Sequence, residues 1–295
     1  MPEQVLVVLN QPSADAPPHI QGARPFEAAD PAAPLVRPLD LGLTRGDGIF
    51  ETISVVHGRP MALDHHLRRF AASAAKLALP APDVEAWRSA ILAAIEELGS
   101  VEEASVKTVM TRGVEGDGRP TGWVHASRSP DYGGVRREGI RVITLDRGYR
   151  HDVERTSPWL LAGAKTLSYA VNRSVLREAA SRGADDVIFV SSDGFVLEGP
   201  TSTVLYRLGN RLLTPGTGLG ILDGTTQASI FRYAEGRGFE TGYAQVRPAE
   251  LRRAEAIWLV SSVRLAAPVR ELDGEEFPVD AELSAGINSY LLELG

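Results

Sequence analysis

Lysine is rare in this chain, and one of its three lysines stands in a segment suited to chemistry. The chain has 31 basic residues, and all of them except Lys76, Lys107 and Lys165 are arginines. Arginine stays protonated, whereas a desolvated lysine can lose its proton and act as an amine nucleophile. Lys165 lies in the apolar and small-residue run 161–169, where burial would lower the pKa of the amine. It is a candidate Schiff-base lysine, and the alternative is a surface lysine at the start of a helix.

A glycine-rich stretch at residues 216–226 suggests an anion site. Its glycines are not spaced as in the G-x-G-x-x-G dinucleotide motif, and no lysine follows them as in a P-loop. Gly224, Thr225 and Thr226 stand just before a predicted helix, so main-chain N–H groups and two hydroxyls could hold a phosphate there. A capped helix without a ligand is the alternative.

A carboxylate, Glu198, ends a predicted strand and is followed by the small residues 199–203. It could reach into a pocket, or it could be an exposed glutamate at a strand end. A lysine amine, a site for one phosphate and a carboxylate are together what pyridoxal 5'-phosphate needs. The lysine would bind the cofactor covalently, the helix start would hold its phosphate, and the carboxylate would keep the pyridine nitrogen protonated.

Hydrophobic periodicity predicts the elements of the first half. Residues 11–34 are rich in Pro, Ala and Asp and predict a loop. Asp64 is the predicted N-cap of a helix with apolar residues at helical spacing, and Arg69 lies on the flank of that stripe, where a solvated arginine is the alternative to a functional one. The other predictions are strands at residues 4–9, 61–63, 105–112 and 123–127, a glycine-punctuated turn followed by a strand within residues 42–56, and a helix at residues 83–98.

The second half alternates strands with helices, and the predicted fold class is α/β (α+β) with two domains. Residues 129–138 are the predicted linker between a small N-terminal domain at 1–128 and a larger domain at 139–295. The predicted strands are 140–145, 186–191, 195–198, 203–208, 211–214 and 256–262, and the predicted helices are 171–183, 227–237 and 280–294.

Composition narrows the class of protein. The hydrophobic fraction of 43% and the charged fraction of 23% are ordinary for a globular chain. A net charge of −7 argues against a nucleic-acid partner. No apolar run reaches the roughly 18 residues that span a bilayer, and the N-terminus does not resemble a secretory signal. Without cysteine the chain has neither disulfides nor thiolate chemistry. We expect a cytoplasmic protein without a metal.

The sequence resembles the fold-type IV pyridoxal phosphate enzymes, which include branched-chain aminotransferases, D-amino acid aminotransferases and 4-amino-4-deoxychorismate lyases. The resemblance covers roughly residues 40–270. Its matched blocks occur in the family's order, and they are residues 45–52 (RGDGIFET), 64–70 (DHHLRRF) with 73–74, 165–168 (KTLS), 193–199 (DGFVLEG), 214–215 (TP), 220–226 (GILDGTT) and 268–269 (PV).

The resemblance implies a role for each candidate residue. Lys165 is similar in position to the Schiff-base lysine and Glu198 to the partner of the pyridine nitrogen. The phosphate-binding positions are matched by Arg69, Thr225, Thr226 and Ser262. The family fold has a small N-terminal α/β domain and a larger C-terminal domain with a β-barrel-like core. Its members are homodimers with the active site at the domain interface.

Departures from the family favour one reaction over another. Branched-chain aminotransferases have a tyrosine where Ala170 stands, and the family usually has asparagine at Thr203 and often arginine at Gln227. These departures argue against a branched-chain enzyme, and the Lys-Thr-Leu-Ser run at 165–168 and the segment 261–268 are more similar to the lyases. The resemblance therefore implies a lyase that splits 4-amino-4-deoxychorismate into 4-aminobenzoate and pyruvate, in the synthesis of a folate precursor. The alternative enzyme is a D-amino acid or branched-chain aminotransferase. The non-enzymatic alternative is a protein that binds pyridoxal phosphate without turnover.

The substrates of both reactions carry carboxylates, so arginines are expected in the pocket. Arg112 stands at a predicted strand end, and Arg264 follows the Ser261-Ser262 pair. These two are the candidates for binding the substrate, and for each the alternative is a structural ion pair.

Overall fold

The alternating apolar residues of the first half form an antiparallel sheet of six strands. The computed structural model describes residues 2–294. The strands are β1 (Gln4–Leu9), β2 (Phe26–Ala29), β3 (Gly48–Val56), β4 (Arg59–Pro60), β5 (Glu103–Thr111) and β6 (Thr121–Arg128). Their spatial order is β2-β1-β6-β5-β3-β4. Inward and outward positions alternate in β6, as expected when one face of a sheet is buried.

Helices α1 (Leu41–Arg45), α2 (Leu63–Lys76) and α3 (Val84–Leu98) accompany this sheet. The side chain of Asp83 caps α3 by accepting a hydrogen bond from the N–H of Ala86, with N···O 3.1 Å. The buried face of α3 carries Trp87, whose Nε1 donates to the carbonyl of Pro12 at 2.8 Å. This bond joins the helix to the segment that follows β1.

The start of α2 differs from the prediction. Its N-cap is Ala62 in the left-handed region with φ 49°, so the helix begins at Leu63. The predictions of a strand at residues 61–63 and of Asp64 as the N-cap are therefore wrong. Asp64 lies in the first turn, where its negative charge suits the helix dipole.

The second half builds a mixed sheet of eight strands. They are β7 (Ile140–Asp146), β8 (Asp186–Val190), β9 (Thr203–Leu208), β10 (Arg211–Pro215), β11 (Glu240–Ala244), β12 (Ala256–Ser261), β13 (Leu265–Leu272) and β14 (Glu275–Glu276). The spatial order is β11-β10-β9-β12-β13-β7-β8, with β14 paired to β13. The pairs β10–β11, β13–β7 and β7–β8 are parallel. Residues 256–260 of β12 are all buried, because this strand lies inside the sheet.

Up to residue 294, where the described part of the chain ends, the helices of this half are α4 (Gly133–Glu138), α5 (Val153–Thr156), α6 (Ala170–Ser181), α7 (Thr225–Glu235), α8 (Pro248–Leu251) and α9 (Ala281–Glu293). Short 3-10 turns lie at Pro158–Leu160 and Thr217–Leu219. The two sheets with their helices confirm the expected mixed α/β class.

Some boundaries were not predictable from periodicity. The loop expected at 11–34 contains β2, and α7 begins two residues earlier than expected. Residues 195–198 are not a regular strand, although Leu197 donates to the carbonyl of Phe189 at 2.8 Å. Strand β13 was missed because Pro268 interrupts its pattern.

Contacts between residues divide the described part of the chain into two compact units. The first contains residues 2–130 and Ala164–Tyr169, and the second contains Asp131–Gly163 and residues 170–294. The chain enters the second unit after Pro130, and the segment expected as a linker, 129–138, contains α4. The division into functional domains at 1–128 and 139–295 stays a prediction. No helix within residues 2–294 combines the length and apolar composition that crossing a membrane requires.

Candidate active site

The Lys165 segment is held against strand β3 of the first unit. Thr166 forms a bridge with Ile49 of β3. The N–H of Phe50 donates to the carbonyl of Lys165 at 3.1 Å, and the N–H of Leu167 donates to the carbonyl of Gly48 at 2.8 Å. The lysine therefore extends a ladder on β3, and it precedes the start of α6 by five residues.

Gly48 makes this close approach possible. A Cβ atom at this position would lie 2.7 Å from Cδ1 of Leu167 and 2.8 Å from the carbonyl oxygen of Met110. Both distances are below van der Waals contact, so only glycine fits without displacement of the segment. Packing against Leu167 and Met110 thus explains why residue 48 of the 45–52 block is glycine.

The amine of Lys165 faces an aromatic ring. Its Nζ lies 4.4 Å from the centre of the Phe50 ring, and the residue is partly buried. The main-chain N–H of Lys165 donates to Oγ of Ser73 on α2 at 3.1 Å. Contacts from β3 and α2 therefore fix both the backbone and the amine.

Arg69 is buried and bound to a carboxylate. Its Nε and Nη2 donate to the two oxygens of Glu51 at 2.7 Å and 2.6 Å, so the pair is bidentate. The Nδ1 of His66 lies 2.8 Å from Oε2 of Glu51. All three side chains are buried, with exposures of 1% for Glu51 and His66 and 9% for Arg69. The alternative of a solvated helix arginine is therefore wrong.

The charges of this cluster shift the pKa values of its members. Burial by itself would raise the pKa of Glu51, but the charge and hydrogen bonds of Arg69, with a bond from His66, outweigh it and lower the pKa to about 2. Burial lowers the pKa of His66, and the positive charges of Arg69 and Lys165 add to the effect against the pull of Glu51. Glu51 is thus ionised at neutral pH, and His66 is held in its neutral form.

Glu198 lies in the second unit, partly buried, at the end of the segment that pairs with β8. Its Oε2 accepts a hydrogen bond from the N–H of Leu222 at 3.1 Å. Burial raises the pKa of Tyr149 and the negative charge of Glu198 adds to that increase, while Arg147 opposes it. Glu198 is therefore an oriented carboxylate whose negative charge raises the pKa of the neighbouring Tyr149.

Helix α7 begins at a buried site with several polar groups. Its N-cap is Gly224, which has no side chain to cap the first turn. Thr225 and Thr226 are 3% and 7% exposed, and Oγ1 of Thr225 lies 3.3 Å from Oγ of Ser262. A Cβ at position 224 would lie 2.5 Å from Oγ1 of Thr203, so the backbone approaches closely here. The structure thus brings together the three hydroxyl residues expected at the phosphate.

Two buried polar atoms near this helix start have no hydrogen-bond partner among residues 2–294. They are Nε2 of Gln227, in the first turn of α7, and Oγ of Ser202. Buried polar groups are normally paired. A helix start with buried hydroxyls and an unsatisfied amide donor has the chemistry of an anion site, and within the same residues no cluster of His, Asp or Glu is placed to hold a metal.

The two candidate substrate arginines differ in their surroundings. Arg112 donates to Asp47 from Nε at 2.6 Å and to the carbonyls of Leu77 and Ala78 at 2.7 Å and 3.0 Å. Arg112 therefore binds the main-chain carbonyls that follow the C-terminal end of α2. This geometry matches the structural ion pair that was its alternative.

Arg264 is 17% exposed, and its Nη2 lies 2.7 Å from Oδ2 of Asp186. That contact is ionic without hydrogen-bond geometry, and no residue in the described range 2–294 accepts a hydrogen bond from Nε or Nη2 of Arg264. Arg136 of α4 donates to the carbonyls of Val263 and Arg264 at 3.1 Å and 3.2 Å, which fixes the loop that carries this arginine.

Four residues around the lysine were not predicted from the sequence as site residues: Phe50, Glu51, His66 and Ser73. A signal existed for two of them. Glu51 is a charged residue within a strand of otherwise uncharged residues, and His66 stands three residues before Arg69 on the same helix face. The contacts of Phe50 and Ser73 with Lys165 depend on a segment far along the chain, so no local pattern could reveal them.

Residues 48–272 match the model of the family described as Amino-transferase class IV. The match covers most of the chain, and the chain therefore belongs to this family. This confirms the resemblance to fold-type IV enzymes.

Two similar proteins align with nearly the whole length of the chain. The chain is 45% identical over 262 residues to the bifunctional aminodeoxychorismate lyase / D-amino acid transaminase of Mycobacterium tuberculosis, covering 85% of this chain and 91% of that protein. It is 54% identical to the fold IV-transaminase CpuTA1 from Curtobacterium pusillum, with a TM-score of 0.95 and coverage of 99% and 98%.

A third relative carries the cofactor. A hypothetical aminotransferase from Mycobacterium tuberculosis is 40% identical in its PLP-bound form, with a TM-score of 0.89 and coverage of 98% and 99%. Its alpha-ketoglutarate and PMP bound form is 43% identical, with a TM-score of 0.87 and coverage of 90% and 96%. The chain is accordingly a class IV enzyme that uses pyridoxal phosphate, and the hydroxyls and unpaired amide at the start of α7 fit its anionic group.

Proposed function

We propose that this enzyme is a 4-amino-4-deoxychorismate lyase, which releases 4-aminobenzoate and pyruvate for the synthesis of a folate precursor. The observation that carries the proposal is the 45% identity, across 85% of the chain, to a protein named for this lyase activity and for D-amino acid transamination. Ala170 and Thr203 stand where branched-chain aminotransferases have tyrosine and asparagine, which supports the same subgroup.

The proposed chemistry assigns separate tasks to Lys165 and Glu198. Pyridoxal phosphate, when bound, supplies an electron sink for negative charge that develops at the substrate. Lys165 would hold the cofactor covalently, and its amine, when free, would move a proton at the substrate. Glu198 would keep the ring nitrogen of the cofactor protonated through its negative charge, and the hydrogen bond from the N–H of Leu222 fixes one of its oxygens.

The proposed phosphate ligands are Arg69, Thr225, Thr226 and Ser262. The support is burial: Arg69, Thr225 and Thr226 are all at most 9% exposed, and Thr225 contacts Ser262. Buried N–H and hydroxyl donors bind an anion strongly because the surroundings have a low dielectric constant. For the substrate carboxylates the proposed ligand is Arg264, whose Nε and Nη2 are buried. The donors of Arg112 are used on Asp47 and on main-chain carbonyls.

A D-amino acid transaminase activity is the second candidate. It is favoured by the relative solved with alpha-ketoglutarate and PMP, which is 43% identical to this chain. Binding of the cofactor without turnover is the less favoured alternative, because binding alone needs no carboxylate at the pyridine nitrogen. A homodimer and a cytoplasmic location stay predictions.

Two assays on one preparation test the proposal. The first measures pyruvate and 4-aminobenzoate released from 4-amino-4-deoxychorismate, and the second measures amino transfer from D-alanine to 2-oxoglutarate. We expect lyase activity in the wild type and in Lys107→Arg, and its loss in Lys165→Arg. Amino transfer without any release of 4-aminobenzoate would overturn the lyase assignment in favour of the second candidate.

A further inference from the structure

Glu51 is a buried carboxylate that lies opposite the uncharged Thr108 in the sheet. It sits on β3 beside Phe50, and Thr108 of β5 is 1% exposed. A lone charge at such a position would be costly, because burial removes its hydration. The cost is offset by the bidentate bond from Arg69, whose two N···O distances are 2.7 Å and 2.6 Å.

His66 completes the arrangement around the same oxygen. Its Nδ1 lies 2.8 Å from Oε2 of Glu51, which also accepts from Nη2 of Arg69. An ionised carboxylate accepts only, so Nδ1 must carry a proton. The Nδ1–Nη2 separation of 3.5 Å then joins two donors and is not a hydrogen bond. His66 is thus a neutral imidazole that donates from Nδ1.

Glu51 and His66 constrain the arginine in two ways. Two of the five N–H groups of Arg69 are used on Glu51, so the plane of the guanidinium is set by the carboxylate. The imidazole in turn holds Oε2 and prevents the carboxylate from rotating. Because β3 and α2 also contact Lys165, through Phe50 and Ser73, the same two elements set the positions of the arginine and the amine.

We infer that Glu51 and His66 are positioning residues that preorient Arg69 for the phosphate of the cofactor. This rests on the proposed function, in which Arg69 binds that phosphate. A carboxylate beside an anion-binding arginine lowers the net positive charge, so it would weaken binding if charge alone mattered. The benefit of the carboxylate is that the guanidinium of Arg69 is already ordered and desolvated before the anion binds. Less conformational entropy is therefore lost on binding.

The test compares two ligands on the full chain after removal of its cofactor. Pyridoxal 5'-phosphate has the phosphate, whereas 5'-deoxypyridoxal has the same ring and aldehyde without it. Equilibrium titration of the lysine-adduct absorbance gives a Kd for each ligand. The Kd of 5'-deoxypyridoxal divided by the Kd of pyridoxal 5'-phosphate measures the contribution of the phosphate alone. This ratio does not respond to a general loss of fold or of Lys165 reactivity.

We expect Glu51→Gln to lower this ratio about tenfold, as loss of a charge-assisted bond would. His66→Leu should lower it too, whereas His66→Asn should keep it, because the amide of asparagine can donate in place of Nδ1. The matched control is Asp64→Asn on α2, the helix of His66 and Arg69; it removes an exposed carboxylate that pairs with Arg88 of α3. A wild-type ratio in Glu51→Gln overturns the inference; if that variant does not fold, a wild-type ratio in His66→Leu overturns it.

Arg69→Gln, which removes the cation, separates this inference from the proposed function. If Arg69→Gln lowers the ratio and Glu51→Gln does not, Arg69 binds the phosphate without help from the pair, and only the positioning role is lost. If Arg69→Gln keeps the wild-type ratio, Arg69 has no phosphate role and both assignments fail.

Discussion

The amine of Lys165 lies 4.4 Å from the centre of the Phe50 ring, and the backbone carbonyl of the same lysine accepts a hydrogen bond from the N–H of Phe50 at 3.1 Å. One residue of β3 thus holds Lys165 at both ends. The ring face is also attractive to the charged amine. Phe50 in turn packs edge-on against Tyr169, with ring centres 5.2 Å apart, so the residues on either side of the ring come from the same short segment.

Replacement of Lys165 by arginine should abolish the covalent link to the cofactor while a cation remains at the position. Borohydride reduction of the wild type, followed by peptide mass analysis, should place the cofactor mass on the peptide that contains Lys165. Arginine cannot form this link because it stays protonated. The purified variant should therefore lack the absorbance band of the lysine adduct.

The other two lysines provide complete controls for that experiment. Lys76→Arg and Lys107→Arg should keep both the band and the labelled peptide. Label on Lys76 or Lys107 in the wild type would refute the assignment of Lys165, and so would a normal band in Lys165→Arg.

Gly48→Ala should displace the lysine segment. The new methyl group would lie 2.7 Å from Cδ1 of Leu167 and 2.8 Å from the carbonyl of Met110. Overpacking of this kind costs about 1–3 kcal/mol. We expect a lower Tm and weaker cofactor binding, measured by thermal unfolding and by titration of the absorbance band. Gly134→Ala is the control, because its Cβ would meet only Oε1 of Glu138 at 3.8 Å; equal behaviour of the two variants would contradict the packing argument.

Acid should remove the stabilisation that Glu51 provides. Its pKa is lowered from 4.5 to about 2 in the folded chain, so the unfolded chain takes up the proton first. The contribution is fully present above pH 4.5 and is lost as the pH falls towards 2. For a buried group with this shift it is about 3 kcal/mol. Urea unfolding between these pH values should therefore show a steeper decline for the wild type than for Glu51→Gln.

Other carboxylates also titrate in that range, and the comparison with Glu51→Gln removes them because both proteins retain them. The variant should be less stable than the wild type at neutral pH, since it leaves Arg69 buried without its counter-ion. Parallel curves for the two proteins from pH 4.5 to 2 would show that folding does not lower the pKa of Glu51.

Arg112 and Arg264 should respond differently to substitution by lysine. Arg112→Lys should lower the Tm, because it removes bonds to Asp47 and to the carbonyl of Leu77; a charged bond contributes about 1.5–3 kcal/mol. Arg264→Lys should raise the KM for a carboxylate substrate with a smaller effect on Tm. Steady-state kinetics and thermal unfolding on both variants measure these two effects. A raised KM in Arg112→Lys with a lowered Tm in Arg264→Lys would make Arg112 the substrate ligand.

Local sequence patterns predicted most of the regular elements. The helix at 83–98 was placed within one residue because Asp83 caps it and its apolar spacing is regular. The start of α2 was misplaced because Ala62 adopts a left-handed φ, which no propensity favours in alanine. Strand β13 was missed because it contains proline and because one of its partners, β7, is distant in sequence.

The candidate site was predictable where one residue type signals its chemistry. The rarity of lysine identified Lys165, and the Gly-Thr-Thr run identified the start of α7. The Glu51–His66–Arg69 cluster was not identified, because it joins a strand to a helix 15 to 18 residues later and is recognisable only by burial and distance. The use of Arg112 at the end of α2 depends likewise on carbonyls 34 and 35 residues away.

The ladder between Gly48 and Leu167 also limits how the chain can be recombined. Residues 164–169 belong to the first unit, although the chain reaches them from the second unit and returns to it. A chimaera that joins the first 130 residues of one relative to the remainder of another would place a foreign lysine segment on β3. The side chain at 167 and the residue at 48 must then be inherited together, so exchange between relatives should succeed only when both come from the same parent.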